Sequence, residues 1–281
     1  MKFENIRVYN FENAFRGMRN PKESYHLSDS KFISAGELEN EDSLFIVATK
    51  WADYLIKYNM SNECRSILID SCMDMLIHEG HIRKGISVIE RVYIGPKDMK
   101  LAQQLIRAGS EHRKFMREIV VSMDITAPLY WFKEFDTYKV GTVANSTSTM
   151  HKLATTPITI DCFETDDYDK SILEDSKEID NLVQFLENLR NKYLETKDKR
   201  YWKELIRWLP ESWLQTRTVT MTYENLYAMC GCGQRRFHKL NEWSGIDNAD
   251  LTNFISMARS LPYAPFLIFL DEENEISEYI N

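Results

Sequence analysis

The chain lacks any apolar run near the ~18–20 residues that cross a bilayer. Its best candidate is the short stretch Ala264-Pro265-Phe266-Leu267-Ile268-Phe269-Leu270. Its first residues, Met1-Lys2-Phe3-Glu4-Asn5, lack the charged-then-apolar pattern of a secretory signal. Together these absences predict a cytoplasmic protein with no membrane partner. Positive charge is also short: 35 Lys and Arg stand against 43 Asp and Glu, a formal net charge of −8. Basic surface leads the binding of phosphate backbones, so general nucleic-acid binding is not expected, although a local basic cluster can still hold a small phosphorylated ligand. The five cysteines (Cys64, Cys72, Cys162, Cys230, Cys232) are odd in number and irregularly spaced, which predicts thiols rather than a disulfide framework. Neither G-x-G-x-x-G nor G-x-x-x-x-G-K occurs, so a dinucleotide fingerprint and a phosphate-binding P-loop are both missing.

No metal site is expected either. His78-Glu79-Gly80-His81 spaces its histidines i, i+3 around a glycine, whereas the zinc-protease motif needs i, i+4 on a helix. Cys230-Gly231-Cys232 has no second cysteine pair to complete a structural zinc site. The acidic pairs Asp166-Asp167 and Glu272-Glu273 read as solvated faces.

What remains is a globular composition. The 281 residues are 43% hydrophobic and 28% charged, with a mean hydropathy of −0.43, enough for one large core or a core plus a subdomain. Aromatics at 12% supply too much apolar surface for a disordered chain.

Periodicity predicts a strand over Phe3–Val8, a helix over Phe11–Met18 and a loop over 22–42. Helical spacing then runs from Glu41 to about Glu90. Gly95-Pro96 opens a helix that Gly109 ends. Residues 117–127 read as a strand stopped by Ala127-Pro128. The helix at 177–194 is the best marked: Ile179, Leu182, Val183, Leu186, Leu189 and Tyr193 fall on one face behind Ser176. Further helices are expected over Arg200–Leu209, Tyr223–Trp243 (with Gly231 and Gly233 as possible breaks) and Asp250–Arg259, and a strand over Thr216–Thr222. The sum is α+β, with helix predominating and no internal repeat.

Two clusters carry candidate chemistry. In the first, Ala127-Pro128-Leu129-Tyr130-Trp131-Phe132-Lys133-Glu134 runs through Asp136-Thr137-Tyr138-Lys139 and Thr142 into Asn145-Ser146-Thr147-Ser148-Thr149. Aromatics stack on planar rings, and hydroxyls with a lysine suit phosphate oxygens. The plainer reading is a core helix followed by a loop. In the second, Arg207, Arg217, Arg235, Arg236 and His238 gather in an otherwise acidic chain. Convergent arginine forks make an anion site; the plainer reading pairs them with Glu204, Glu211, Glu224 and Glu242. The basic stretch at 233–240 is too small to bind nucleic acid without a strongly polarised surface.

In this order the two clusters resemble the flavin-dependent thymidylate synthases, over roughly residues 96–265. That family carries R-H-R-x7-S-x-R after a lead-in of the kind A-P-I-F-x-x-x-Q. Here Ala127-Pro128-Leu129-Tyr130 is similar to the lead-in, and Glu134 takes the glutamine position. Thr137-Tyr138-Lys139 falls on R-H-R, Thr147 on the serine and Thr149 on the last arginine. Gly109-Ser110-Glu111-His112 with Phe115 resembles the helix entering that strand. Glu204-Leu205-Ile206-Arg207-Trp208-Leu209-Pro210 resembles E-x-A-R-x-x-L-P, one residue shorter, and Thr220–Leu226 sits at T-x-N-x-R-x-L. Arg235 or Arg236, with His238 and Glu242, follows where the family's last Arg and E-I pair stand. The sequence type is also similar to a divergent branch in phages and prophages of Gram-positive bacteria, whose products would work in the host cytoplasm.

The resemblance implies a helix-rich α+β fold with a small mixed or antiparallel sheet. It divides the chain into an N-terminal strand, helix and loop (1–40), an inserted helical segment (41–95) and a synthase-like core (96–281). It also implies C5 methylation of dUMP or a related pyrimidine nucleotide, with methylenetetrahydrofolate as carbon source and FAD as cofactor. Arg207 would hold the phosphate, with Glu134, Thr142, Thr147 and Arg217 around the nucleotide. His112, Tyr138, Lys139 and Asn145 would meet the flavin, and Arg235 or Arg236 would polarise the base as the catalytic candidate. A homo-oligomer, a tetramer with shared active sites, is expected on the same ground.

The departures are chemical. Thr137 and Tyr138 have no charge, Lys139 lacks the arginine fork, and Glu224 stands in a cation's place. Each lost charged contact costs about 1.5–3 kcal/mol. The alternative is therefore a catalytically inactive nucleotide-binding or protein-interaction module on the same fold.

Overall fold

The computed structural model describes residues 1–33, 86–88, 91–138, 140–166, 176–231, 238–246 and 252–270. In chain order the elements are β1 (Lys2–Tyr9), α1 (Phe11–Gly17), β2 (Lys31–Ile33), β3 (Ile86–Val88), β4 (Arg91–Tyr93) and α2 (Pro96–Arg107). Then come β5 (Val120–Pro128), α3 (Leu129–Phe135), β6 (Val143–Ser146), α4 (Thr149–Lys152), α5 (Ser176–Thr196), α6 (Lys199–Arg207) and β7 (Leu214–Thr222). The rest are α7 (Tyr223–Leu226), α8 (Asn241–Ser244), α9 (Phe254–Arg259) and α10 (Ala264–Leu267).

Five strands form one sheet in the order β3-β1-β5-β7-β6, and β2 pairs with β4 in a separate two-stranded ribbon. β1 runs parallel to β3, with Ile6 opposite Ile86, and β6 runs antiparallel to β7, with Val143 opposite Thr220. The sheet is thus mixed, as expected. On β5 the side chains of Val121, Met123, Ile125 and Ala127 are buried at every second position.

Several boundaries differ from the sequence reading. The stretch read as a loop over 22–42 contains β2, because Phe32 finds a partner in Val92. Residues 86–88 and 91–93, at the end of the segment read as helical, are strands; the rest of that segment and the His78–His81 motif lie outside the described residues. Helix α7 widens after Leu226 into a π-helical turn over Tyr227–Gly231; residues 232–237 of the expected helix lie outside the described residues, and residues 238–240 are not helical before α8. Gly231 permits this turn, since a Cβ there would lie 1.9 Å from the Ile268 carbonyl oxygen.

The chain forms two compact units. One comprises Met1–Glu4, Met123–Thr220 and Gln234–Met257. Its first core stacks Trp131 on Phe135 at 5.1 Å and sets Trp131 4.7 Å from Trp243, with Phe254 against both. Its second core joins Leu186 and Leu189 of α5 to Leu205 of α6, Leu153, Ile158 and Phe163. Arg190 fastens the chain beside this core, donating to Glu187 and to the Ala154 carbonyl, while Glu187 accepts from the Ile158 N–H at 2.8 Å.

The other unit comprises Asn5–Ser122, Met221–Gly233 and Ala258–Asn281. Phe11 packs edge-on against Tyr223 and Tyr263, and Phe15 against Phe115. The Tyr223 hydroxyl donates to the Pro262 carbonyl at 2.6 Å, and burial pushes that phenol well above its ordinary pKa. A buried clasp holds residues 19–30 to the start of α2. Asp98 accepts from Arg19 and from the hydroxyls of Ser28 and Ser30, while Asp29 accepts the N–H groups of Lys97 and Asp98. Gly95 is needed here, because a Cβ would meet Asp29 at 2.3 Å.

Candidate functional site

The first of the two units brings parts of both sequence clusters together. Pro128, extended at φ −70° and ψ 156°, ends β5 and starts α3, where Tyr130 and Glu134 are one turn apart on one face. Glu134 meets His238 Nε2 at 3.0 Å, and the Tyr130 hydroxyl donates to Glu242 and to Glu164 (3.1 Å). The Leu240 N–H donates to His238 Nδ1 at 3.0 Å, so that nitrogen is an acceptor and Nε2 carries the proton donated to Glu134. The lead-in helix and the segment beginning at His238 are therefore neighbours, two rungs deep.

A second set of contacts centres on Gln215. Register places Ser146 of β6 opposite Arg217 of β7, and Thr147 N–H continues the ladder to the Thr216 carbonyl at 2.8 Å. Gln215, buried on β7, donates to the Thr147 carbonyl at 3.0 Å and accepts from Arg217 Nε at 2.9 Å. Arg217 Nη1 donates to Asp136 at 2.9 Å, and the guanidinium lies 3.9 Å from the centre of the Phe132 ring. Its Nη2 has no partner among the described residues. A continuous chain thus runs from Asp136 through Arg217 and Gln215 to the hydroxyl tract.

That tract borders a recess of about 140 Å³ lined by Thr147, Thr149, Thr156, Leu153, Cys162 and Trp213, among others. Ligand pockets for larger molecules span roughly 300–1,000 Å³. The recess is thus sized for one ring or one phosphate, not for a dinucleotide.

The remaining predicted residues are scattered. Tyr138 is half-buried with its ring edge-on to Trp243 at 6.4 Å, Thr142 is half-buried before β6, and Asn145 is exposed on β6 opposite Thr218. Arg207 is exposed at the end of α6, where Glu204 holds it; no described contact brings it to the tract. His112 is exposed in the other unit, just after α2. Lys139, Arg235 and Arg236 lie outside the described residues.

The sequence reading gave no role to Asp136, which it named within the first cluster, and overlooked Gln215 and Arg113. Gln215 and Arg217, two apart on one strand, had offered a same-face signal. Arg113 explains Glu224: its Nε donates to both carboxylate oxygens, at 2.8 and 3.0 Å, and the guanidinium lies 4.7 Å from the Tyr227 ring centre. The anion in the cation's place therefore carries its own cation.

A flavin diphosphate needs cations that are not already neutralised. Thr137 and Tyr138 carry none, and Arg207 and Arg217 each hold a carboxylate. Among the described residues that the resemblance assigns to the flavin and nucleotide, no arginine or lysine without a carboxylate partner is found for that group. Among the described residues no cluster of three or more His, Cys, Asp or Glu side chains could hold a metal. The described cysteines, Cys162 and Cys230, are thiols, and no described helix is long and apolar enough to cross a membrane.

No family model and no curated protein matches the sequence. Solved structures do. The flavin-dependent thymidylate synthase ThyX from Helicobacter pylori, complexed with FAD and dUMP, superposes with a TM-score of 0.53 at 13% identity, over 96% of this chain and 99% of that one. A second structure of that enzyme with the same ligands gives 0.53 over 98% of its length. The UMP/dUMP methylase PolB from Streptomyces cacaoi reaches only 0.37, over 49% of this chain. The likeness to the Helicobacter pylori structures establishes the fold, a helix-rich α+β fold of the flavin-dependent thymidylate synthase type.

Proposed function

We propose that the chain binds a pyrimidine nucleotide, with the phosphate received where Arg217 meets the tract before residue 150. The observation that carries the reading is the Asp136–Arg217–Gln215–Thr147 chain, which draws a late arginine and the early hydroxyl tract into one site. Arg217 offers its outer edge, Phe132 backs the guanidinium, and Gln215 fixes the orientation of both partners. The neighbouring recess accommodates a single ring against Trp213.

The fold likeness brings a candidate reaction with it, C5 methylation of dUMP or a related nucleotide, with methylenetetrahydrofolate and FAD. In that reading Arg207 adds a phosphate contact, Glu134, Thr142 and Thr147 line the nucleotide, and Arg235 or Arg236 acts on the base. His112, Tyr138, Lys139 and Asn145 would line the flavin, in a homotetramer. A phage origin and a cytoplasmic location belong to the same reading. A second reading, nucleotide binding without catalysis, is favoured by the carboxylates that Arg207 and Arg217 hold, since no other described residue assigned to the site is a lysine or arginine.

Thermal unfolding with dUMP, inorganic phosphate or FAD tests both, because a ligand specific for the folded state raises the midpoint. The proposal expects a rise with dUMP that Arg217→Ala abolishes; no rise with any nucleotide overturns it. A flavin absorbance band in the purified protein, or one acquired on FAD titration, selects the enzyme; its absence selects the binding module.

A further inference from the structure

Strand β6 is the last in its sheet: β7 pairs with it on one side, and no described strand lies on the other. The register with β7 fixes which of its main-chain groups are already used. Thr147 N–H donates to the Thr216 carbonyl at 2.8 Å. In an antiparallel ladder hydrogen-bonded pairs alternate with open ones, so Asn145 with Thr218 and Val143 with Thr220 are the bonded pairs. The N–H and C=O groups of Ala144 and Ser146 therefore point away from β7, along the open edge.

An open edge is a template for another strand, and proteins guard it with a lysine, a proline or an inward-facing charge. Strand β6 has none of these. Residues 140–151 are the longest run in the chain without Asp, Glu, Lys or Arg, in a sequence that is 28% charged. Every side chain of β6 is exposed, Val143 at 65%, and beside the strand Val140 is 87% and Met150 57% exposed. We propose that β6 pairs antiparallel with β6 of a second copy of the chain, about a twofold axis through Asn145.

The strand is complementary to itself on that axis. Ala144 of each copy faces Ser146 of the other and exchanges both N–H···O bonds with it, which uses every outward main-chain group of the two residues. Asn145 faces its own counterpart in an open pair, where side chains come closest, and a primary amide can both donate to and accept from its like. Val143 of one copy meets Thr147 of the other on the same face, a β-branched pair of the kind that steadies sheets. A twofold axis also sets like beside like. With a net charge of −8, two copies repel over most of their surface, and the uncharged tract is where they can meet. A foreign strand would be chosen through pockets for its alternate side chains, whereas the matches along this edge need no foreign sequence. The contact is small, so monomer and dimer should exchange with concentration.

The test is sedimentation velocity of the full chain over a concentration series, without nucleotide, so that its outcome is independent of the binding proposal. The wild type should pass from monomer to dimer as concentration rises. Asn145→Lys and Asn145→Asp each bring like charges together at the axis and should each weaken dimerisation roughly tenfold or more. An equimolar mixture of the two variants should restore the dimer, because lysine then faces aspartate, and restoration also shows that both variants fold. Hydrogen exchange at the Ala144 and Ser146 amides should slow as the dimer fills. A wild type that is monomeric at every concentration would overturn the inference and leave the edge to a foreign strand. Protection of those amides that does not depend on concentration would overturn it too, since a segment of the same chain would then cover the edge. An oligomer indifferent to both variants, or a mixture that fails to restore the dimer, would contradict it as well.

Discussion

Arg19 and Arg217 each meet an aspartate, but in very different surroundings. In the Arg19–Asp98 clasp the two side chains are 5% and 0% exposed, and both carboxylate oxygens are fully engaged. One accepts Arg19 Nε at 2.6 Å and Nη2 at 2.5 Å; the other accepts the two serine hydroxyls at 2.5 Å and the Ser30 N–H at 3.2 Å. In the Arg217–Asp136 pair the exposures are 16% and 40%, and the contact is a single bond at 2.9 Å. A closed pair fastens the chain and has nothing left to offer. An open one can give up its carboxylate to water and receive another anion, which is why only the second is proposed as part of a binding site.

Breaking the clasp should have the largest effect. Asp98→Ala leaves a buried guanidinium uncompensated and should cost about 3–5 kcal/mol, read as a lower urea midpoint at unchanged slope. Next comes Gln215→Leu, which leaves Arg217 Nε without its acceptor and the Thr147 carbonyl without its side-chain donor, at about 1–2 kcal/mol.

The Glu187–Arg190 pair lies between the two extremes, with side chains 18% and 9% exposed. The hydrogen bond from Arg190 holds the Glu187 carboxyl below its ordinary pKa. A depressed folded-state pKa means that the stabilisation is present above the unfolded-state value and lost as pH falls through the folded one. Glu187→Gln should therefore cost about 1 kcal/mol near neutrality and less in acid, giving a shallower acid limb in the stability profile. Smallest is Asp136→Ala, under about 1 kcal/mol, because the carboxylate is well solvated. Equal losses in Asp98→Ala and Asp136→Ala would erase the distinction between closed and open pairs.

Periodicity revealed most of the frame. The strand before Pro128, the helix behind Ser176 and the Gly95-Pro96 helix start all rest on local rules, and their boundaries shift by only a few residues. Strands β2, β3 and β4 were not legible, because three-residue strands have no period of their own and exist through their partners. The site was half legible. Motif order pointed to Glu134, Thr147 and His238, and the cluster of late arginines to Arg217; the fold brings them together as two sets of contacts. Asp136 and Gln215 stood beside them in sequence, but their importance comes from bonds spanning 81 and 68 residues. The surface reading of the arginines proved partly sound: Arg207 pairs with Glu204 as that reading has it, whereas Glu224 pairs with Arg113.

The central claim is that Arg217 receives the phosphate of a nucleotide in place of Asp136. Calorimetric titration of the wild-type chain and of Asp136→Asn with dUMP and with deoxyuridine tests it most directly. The account predicts that dUMP binds more tightly than deoxyuridine, and that Asp136→Asn tightens dUMP several-fold while leaving deoxyuridine unchanged. Equal affinities for the two ligands, or a dUMP affinity indifferent to Asp136→Asn, would contradict it.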